Sequence, residues 1–454
     1  MPVILRKRLR WCRRLAAFCV LLPVAGLLFA DDGPLETKRG ELWNKEAQAA
    51  VQAGQKKDGS ELPAILKLQA DFPENARALR NLAWAEQKAG NREQAVHFLQ
   101  LYADMGMTLD PSGPIYKSFS GVRSGAGSGS GTGAGASSSV LDSVPELKRN
   151  EAAVTTGSLA FTLSDSNLLA EDIGFDPVSR HFFLTSVHQK KILECDSGGR
   201  CEDVIHSLPE MPLHAMLAIH VDAPRGVLWA TTAGMSNETD FRPEYQGHSA
   251  VLKFDLRSHR LIERYEPNDA REHALGDMTV ASNGDAYISD GTSGDLYVIR
   301  HDGGGLQSLV PAGVFVSPQA PALNGDESLL YVPDYVEGIA AIHLKSGSIE
   351  WMKSANPTAL DGIDGLYWTS GGLLATQNGT SPERIVRFHL SAYNRIDSFH
   401  VLEANWRGFG DPTHGVIVGD EFYYIVNSGW DRADDNGVLH EGAPAAIWKV
   451  RIVH

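Results

Sequence analysis

The chain has 454 residues, 43% hydrophobic and 21% charged, with 41 basic against 56 acidic side chains and a net charge of −15. That acidic balance argues against nucleic acid and anionic membrane surfaces as partners, because both need a basic face. The length exceeds what one compact core organises, so more than one structural unit is expected.

Residues 1–30 read as a secretory signal peptide. Six basic residues from Arg6 to Arg14 precede an apolar run from Leu15, and Leu28-Phe29-Ala30 stands before Asp31-Asp32. The alternative is an uncleaved anchor, which the short run and its small final residue disfavour. Export to a periplasmic or extracellular space is expected, with membrane contact only if the segment is retained. Its removal leaves a net charge of −21 and two cysteines, Cys195 and Cys201. They flank a turn between two strand-like stretches, so export favours a hairpin disulfide over a pair of reduced thiols.

Residues 31–110 have helical periodicity. The stretch PENARALRNLAWAEQKAGNREQAVHFLQLYADMG (73–106) resembles a tetratricopeptide repeat: Leu82, Gly90, Ala95 and Leu99 fall where paired helices need an apolar residue, a turn, a small contact and a large one. ELWNKEAQAAVQAG and ELPAILKLQADF read as a degenerate earlier repeat, and a plain helical hairpin is the alternative. Such a module is expected to dock on its neighbour, dimerise or grip a protein partner. Residues 111–150 form a Gly/Ser-rich linker around SGAGSGSGTGAGASSS (124–139), whose alternate glycines match no phosphate-binding fingerprint.

Residues 151–454 carry one phrase six times. Its best-marked part is an aromatic and β-branched strand: RHFFLTSV (180–187), GVLWATTA (226–233), GDAYISDG (284–291), SLLYVPDY (328–335), GGLLATQN (371–378) and EFYYIVNS (421–428). Each is followed by a further strand such as KILECD or AIWKVRI, with turn pairs such as Asn283-Gly284 and Ser370-Gly371 between strands. Repeats of this period with about four strands each predict a mainly β fold, a six-bladed β-propeller preceded by a short α-helical module. The unpaired stretch GSLAFTLS (157–164) is expected to pair with the last blade and close the ring.

The strand opening each repeat begins on a polar residue: Glu171, His214, Asp277, Gln319, Asp364 and His414, at spacings of 43, 63, 42, 45 and 50. The longest spacing is taken up by a loop from Met235 to His248. Innermost strands line a propeller's channel, so these side chains are expected to converge at one mouth. Acids and an amide suit a divalent cation held by oxygens, and the imidazoles suit proton transfer. Two channel carboxylates without a cation would repel, which favours metal at Glu171 and Asp364. Ordered water between the histidines is the plainer alternative. Asp361 is expected at the solvated end of a loop.

AEDIGFDPVSRHFFLTSVHQKKILECD, DGIDGLYWTSGGLLATQ and DPTHGVIVGDEFYYIVNS resemble the gluconolactonase/regucalcin-like six-bladed propellers, over about residues 155–454. The resemblance implies one divalent cation, calcium first with zinc or manganese as alternatives, and opening of lactones or related esters. It implies metal ligation by Glu171 and Asp364. Where the family places asparagine ligands this chain has Gly276, followed by Asp277, and Gln319. Glu171, Gln319 and Asp364 are thus the expected metal ligands, and His214, His414 and Asp277 the expected catalytic groups. The alternative is a propeller that binds a ligand or protein without chemistry. Two local motifs lack the context for function. Gly247-His248-Ser249-Ala250 leads into a strand, without the turn and helix of a hydrolase nucleophile. The acidic loop from Asp431 to Gly437 lacks calcium-loop spacing.

Overall fold

The structure, a computed structural model, describes residues 38–120 and 139–452 apart from Lys57 and Asp435. The expected leader and most of the tether lie outside the described residues. Six sheets, each with four antiparallel strands, follow one another along the chain, their inner strands beginning at Ala170, Ala215, Leu275, Ala322, Ile363 and Gly415; the fifth sheet adds Lys353–Ser354 at its outer edge, parallel to Arg395–Ala404. The inner strands of the sixth, first, second and third blades touch in turn around the axis, as do those of the fourth and fifth. The second strands fall on the aromatic phrases, for example Phe182–Ser186, Val227–Ala233 and Gly372–Gln377. Alternate side chains of these strands fill the cores between blades. Ring closure follows the expected route: Ser158–Thr162 pairs antiparallel with Ala446–Arg451 as the outermost strand of the sixth blade. The last blade therefore has its outer edge filled by the earliest strand, which joins the two ends of the ring.

Among the described residues four longer helices precede the ring: α1 (Arg39–Lys56), α2 (Glu61–Asp71), α3 (Ala76–Ala89) and α4 (Arg92–Asp104). Asn75 caps α3 by accepting from Ala78 N at 2.7 Å, and Gly90 ends it in the left-handed conformation at φ 84°. Leu82, Ala95 and Leu99 are buried between the helices. The flanks of the expected linker are structured. Pro114–Phe119 and Glu146–Arg149 are short helices, and Phe119, Val140, Val144 and Leu147 join the core under α3 and α4. Apolar residues at the edges of the Gly/Ser tract supply enough buried surface to fix them.

The helices dock on the propeller face where the inner strands begin. Gly40 N donates to Val314 O at 3.0 Å and Glu41 N to Gly313 O at 3.1 Å. A Cβ on Gly40 would lie 2.8 Å from Phe315 O, so the approach requires glycine. Asp361, expected to be solvated, is instead fully buried: it accepts from Ala76 N at 2.9 Å and Arg77 Nε at 2.8 Å. The acid thus sits at the N-terminus of α3, where free backbone N–H groups and the helix dipole favour an anion. Arg384, also fully buried, donates from Nη1 to Met105 O at 2.9 Å, beyond the end of α4. Among the described residues no helix is long and apolar enough to cross a membrane.

Candidate metal centre at the channel mouth

The inner strands are irregular where they begin. Register shifts fall between Ala170 and Ile173, Leu275 and Asp277, and Ile363 and Gly365, so each strand bulges at the mouth and re-aims its polar residue. The backbone groups freed by these bulges find hydroxyl partners. Asp172 N donates to Thr185 Oγ1 at 2.9 Å, Ala218 N to Thr231 Oγ1 at 2.9 Å, and Thr231 Oγ1 donates to Gly276 O at 3.3 Å. Gly365 permits another close approach, since a Cβ there would meet the Tyr367 hydroxyl at 2.5 Å.

Glu171, Asp364 and His414 come together: one ligand atom from each lies within 4.8 Å of the others. Each is held from behind. Trp430 Nε1 donates to Glu171 Oε2, and Asn378 Nδ2 donates to Asp364 Oδ2. Asn378 is itself fixed by the Tyr335 hydroxyl at 3.0 Å and by Pro412 O at 2.8 Å. His414 has Nδ1 at 3.1 Å from Glu171 O, and Nε2 at 2.9 Å from Asp277 Oδ1 in a bent ion-pair contact.

The electrostatics follow from burial and proximity. Burial opposes a charge on His414, yet Asp277, Asp364 and Asp172 together hold its pKa well above the ordinary imidazole value. Burial raises Asp277 despite the opposing attraction of His414, so the two groups titrate as a unit. Asp172 is pushed up to about 6 by burial, with the His414 charge and the N–H groups of Ile219 and Ile173 opposing the shift. Below this ring the channel opens into a lumen of about 330 Å³ toward the opposite face. His220 on its wall is lowered to about 4 by burial.

The other expected residues make separate contacts outside this cluster. His214 lies just ahead of the inner strand of the second blade, with Nδ1 3.0 Å from Glu238 Oε1. Glu238 is buried and also accepts from Ala215 N at 2.8 Å, which anchors the long loop after Ala233. Gln319 donates its amide to Ser317 Oγ at 3.0 Å and Ser317 O at 3.2 Å, so only its oxygen remains as a donor to a cation. Ser249 is buried and donates to Thr232 O at 2.8 Å, a structural role. Sequence reasoning missed Asp172, Glu238, Asn378 and Trp430. The adjacent acids Glu171-Asp172 were a usable signal, because only a bulge brings neighbouring strand residues to one cavity. Glu238 and Trp430 lie on loops whose return to the axis no local pattern reveals.

No protein-family model matches the chain, and no curated protein matches it in sequence. Solved structures do. A gluconolactonase from Xanthomonas campestris is similar at 15% identity and a TM-score of 0.44, over 64% of this chain and 88% of that one. An aldose sugar dehydrogenase from Streptomyces coelicolor, in a PQQ-bound form, is similar at 12% identity and a TM-score of 0.46, over 66% and 99%. A streptogramin B lyase is similar at 15% identity and a TM-score of 0.42, over 64% and 95%.

Proposed function

We propose that this chain is an exported, metal-dependent hydrolase of lactones or related esters. The observation that carries the reading is the convergence of Glu171, Asp364 and His414 at one channel mouth. Their donor set fits a divalent cation: two carboxylates supply charge, and an imidazole supplies a borderline donor that suits zinc or manganese better than calcium. Trp430, Asn378 and Asp277 orient the three ligands, as supporting residues do at metal sites.

A bound cation would polarise the carbonyl and stabilise the oxyanion formed on attack. The protein's own groups do the rest. Glu238, accepting from Nδ1, fixes the His214 tautomer and leaves Nε2 to take a proton from water. Asp277 holds the second nitrogen of His414 and balances its charge. The leader expected over residues 1–30 and the disulfide between Cys195 and Cys201 support export.

A second reading, ligand binding without chemistry, is favoured by the ion pair itself: a protonated His414 already offsets the neighbouring carboxylates. Hydrolysis of a panel of lactones and aryl esters, with and without chelator, separates the two. Chelator-sensitive turnover supports the hydrolase, and no turnover on any substrate with metal supplied supports the binder.

A further inference from the structure

Between the helices and the propeller face lies a groove of about 720 Å³, within the usual size of small-ligand sites and placed where two units meet. Its walls are set by the buried contacts of Gly40, Asp361 and Asn75, so the space is preformed. We propose that this groove binds an uncharged polyhydroxylated chain, a neutral oligosaccharide, independently of whatever occupies the channel mouth.

Three observations select that chemistry. Trp43 on α1 and Trp84 on α3 are half-buried and line the groove, with Lys88 Nζ 4.3 Å over the Trp84 ring, and the buried Phe315 closes its floor. Asn44 on α1 and Asn81 on α3 also line it, and neither side chain is hydrogen-bonded among the described residues. An amide both donates and accepts, as does a sugar hydroxyl. The charged groups on the walls are neutralised in place: Arg77 by Asp361 at 2.8 Å, and Lys88 by Glu61 at 2.7 Å. A groove without net charge gives no purchase to a phosphate, carboxylate or ammonium ligand. A purely apolar chain would strip water from both asparagines and return no hydrogen bond.

The test is calorimetric titration of the full chain with maltohexaose, cellohexaose, xylohexaose and chitohexaose, beside a heparin hexasaccharide and a neutral Gly-Ser peptide. At least one neutral hexasaccharide should bind with a Kd below about 1 mM. The double variant Asn44→Ala with Asn81→Ala changes two exposed side chains, so folding is retained. It should weaken that binding by about tenfold or more while leaving bound metal unchanged. The proposal is overturned if none of the four binds, if the variant binds as well as the parent, or if the heparin fragment or the peptide binds in preference.

Discussion

His414 Nε2 stands 2.9 Å from Asp277 Oδ1, and both side chains are closed off from solvent at the centre of the ring. The contact joins the sixth blade to the third across the channel. With Nε2 facing Asp277, Nδ1 is the nitrogen left to a cation, so the second proton of the imidazolium and a cation compete for it.

Competition fixes a pH dependence. His414 is held above the ordinary imidazole value, so a divalent cation must displace a proton and its apparent affinity rises as pH rises through the folded pKa. Asp277→Asn removes the largest stabiliser of that proton and should flatten the pH profile of cation binding. It should also destabilise the metal-free protein by about 3 kcal/mol, because a buried charge loses its partner. An unaltered pH profile in the variant would mean that the pair and the cation site are unconnected.

The docking of the helices rests on Asp361. Replacing it with alanine leaves Arg77 and the N–H of Ala76 without their buried acceptor, at a cost of about 3 kcal/mol. Asp361→Asn keeps an acceptor oxygen and should cost less. Hydrogen exchange over Ala76–Ala89 should rise in the alanine variant, and unchanged protection there would show that other contacts hold the helices.

A separate ion pair predicts stability against pH. His273 is 4% exposed, with Nδ1 2.7 Å from Asp290 and Nε2 2.9 Å from Asp269. Burial opposes its charge, but the two carboxylates win and the pKa is raised. A raised folded pKa stabilises the fold fully below the unfolded value near ~6.5, and the contribution fades as pH climbs through the folded value. Chemical denaturation of wild type against His273→Asn should therefore show the larger difference at acidic pH. That excess is on the order of 1 kcal/mol after solvent screening of the part-exposed Asp269. A difference that grows toward alkaline pH contradicts the assignment.

Much of the propeller was legible because its signals are local. Strand phrases such as GVLWATTA carry their own periodicity, and the stretch around Phe161 lacked any other partner than the last blade. The fourth strands were harder to see: Leu261–Tyr265 is largely exposed, so charge replaces the apolar alternation that marks a buried strand. The ring of opening residues located the mouth, but their pairings were set by bulges and by loops distant in sequence. Asp361 shows the limit most clearly. Three residues before Asp364 it looked like a solvated loop acid, and its true partner, Arg77, lies 284 positions earlier in the chain.

The most direct test of the account is metal analysis of the purified protein after equilibration with zinc, manganese or calcium, set beside the double variant Glu171→Gln with Asp364→Asn. The account predicts about one equivalent of divalent ion in the parent and a melting temperature raised by that ion, with both lost in the variant. A parent that retains no ion, or a variant that retains as much as the parent, would contradict it.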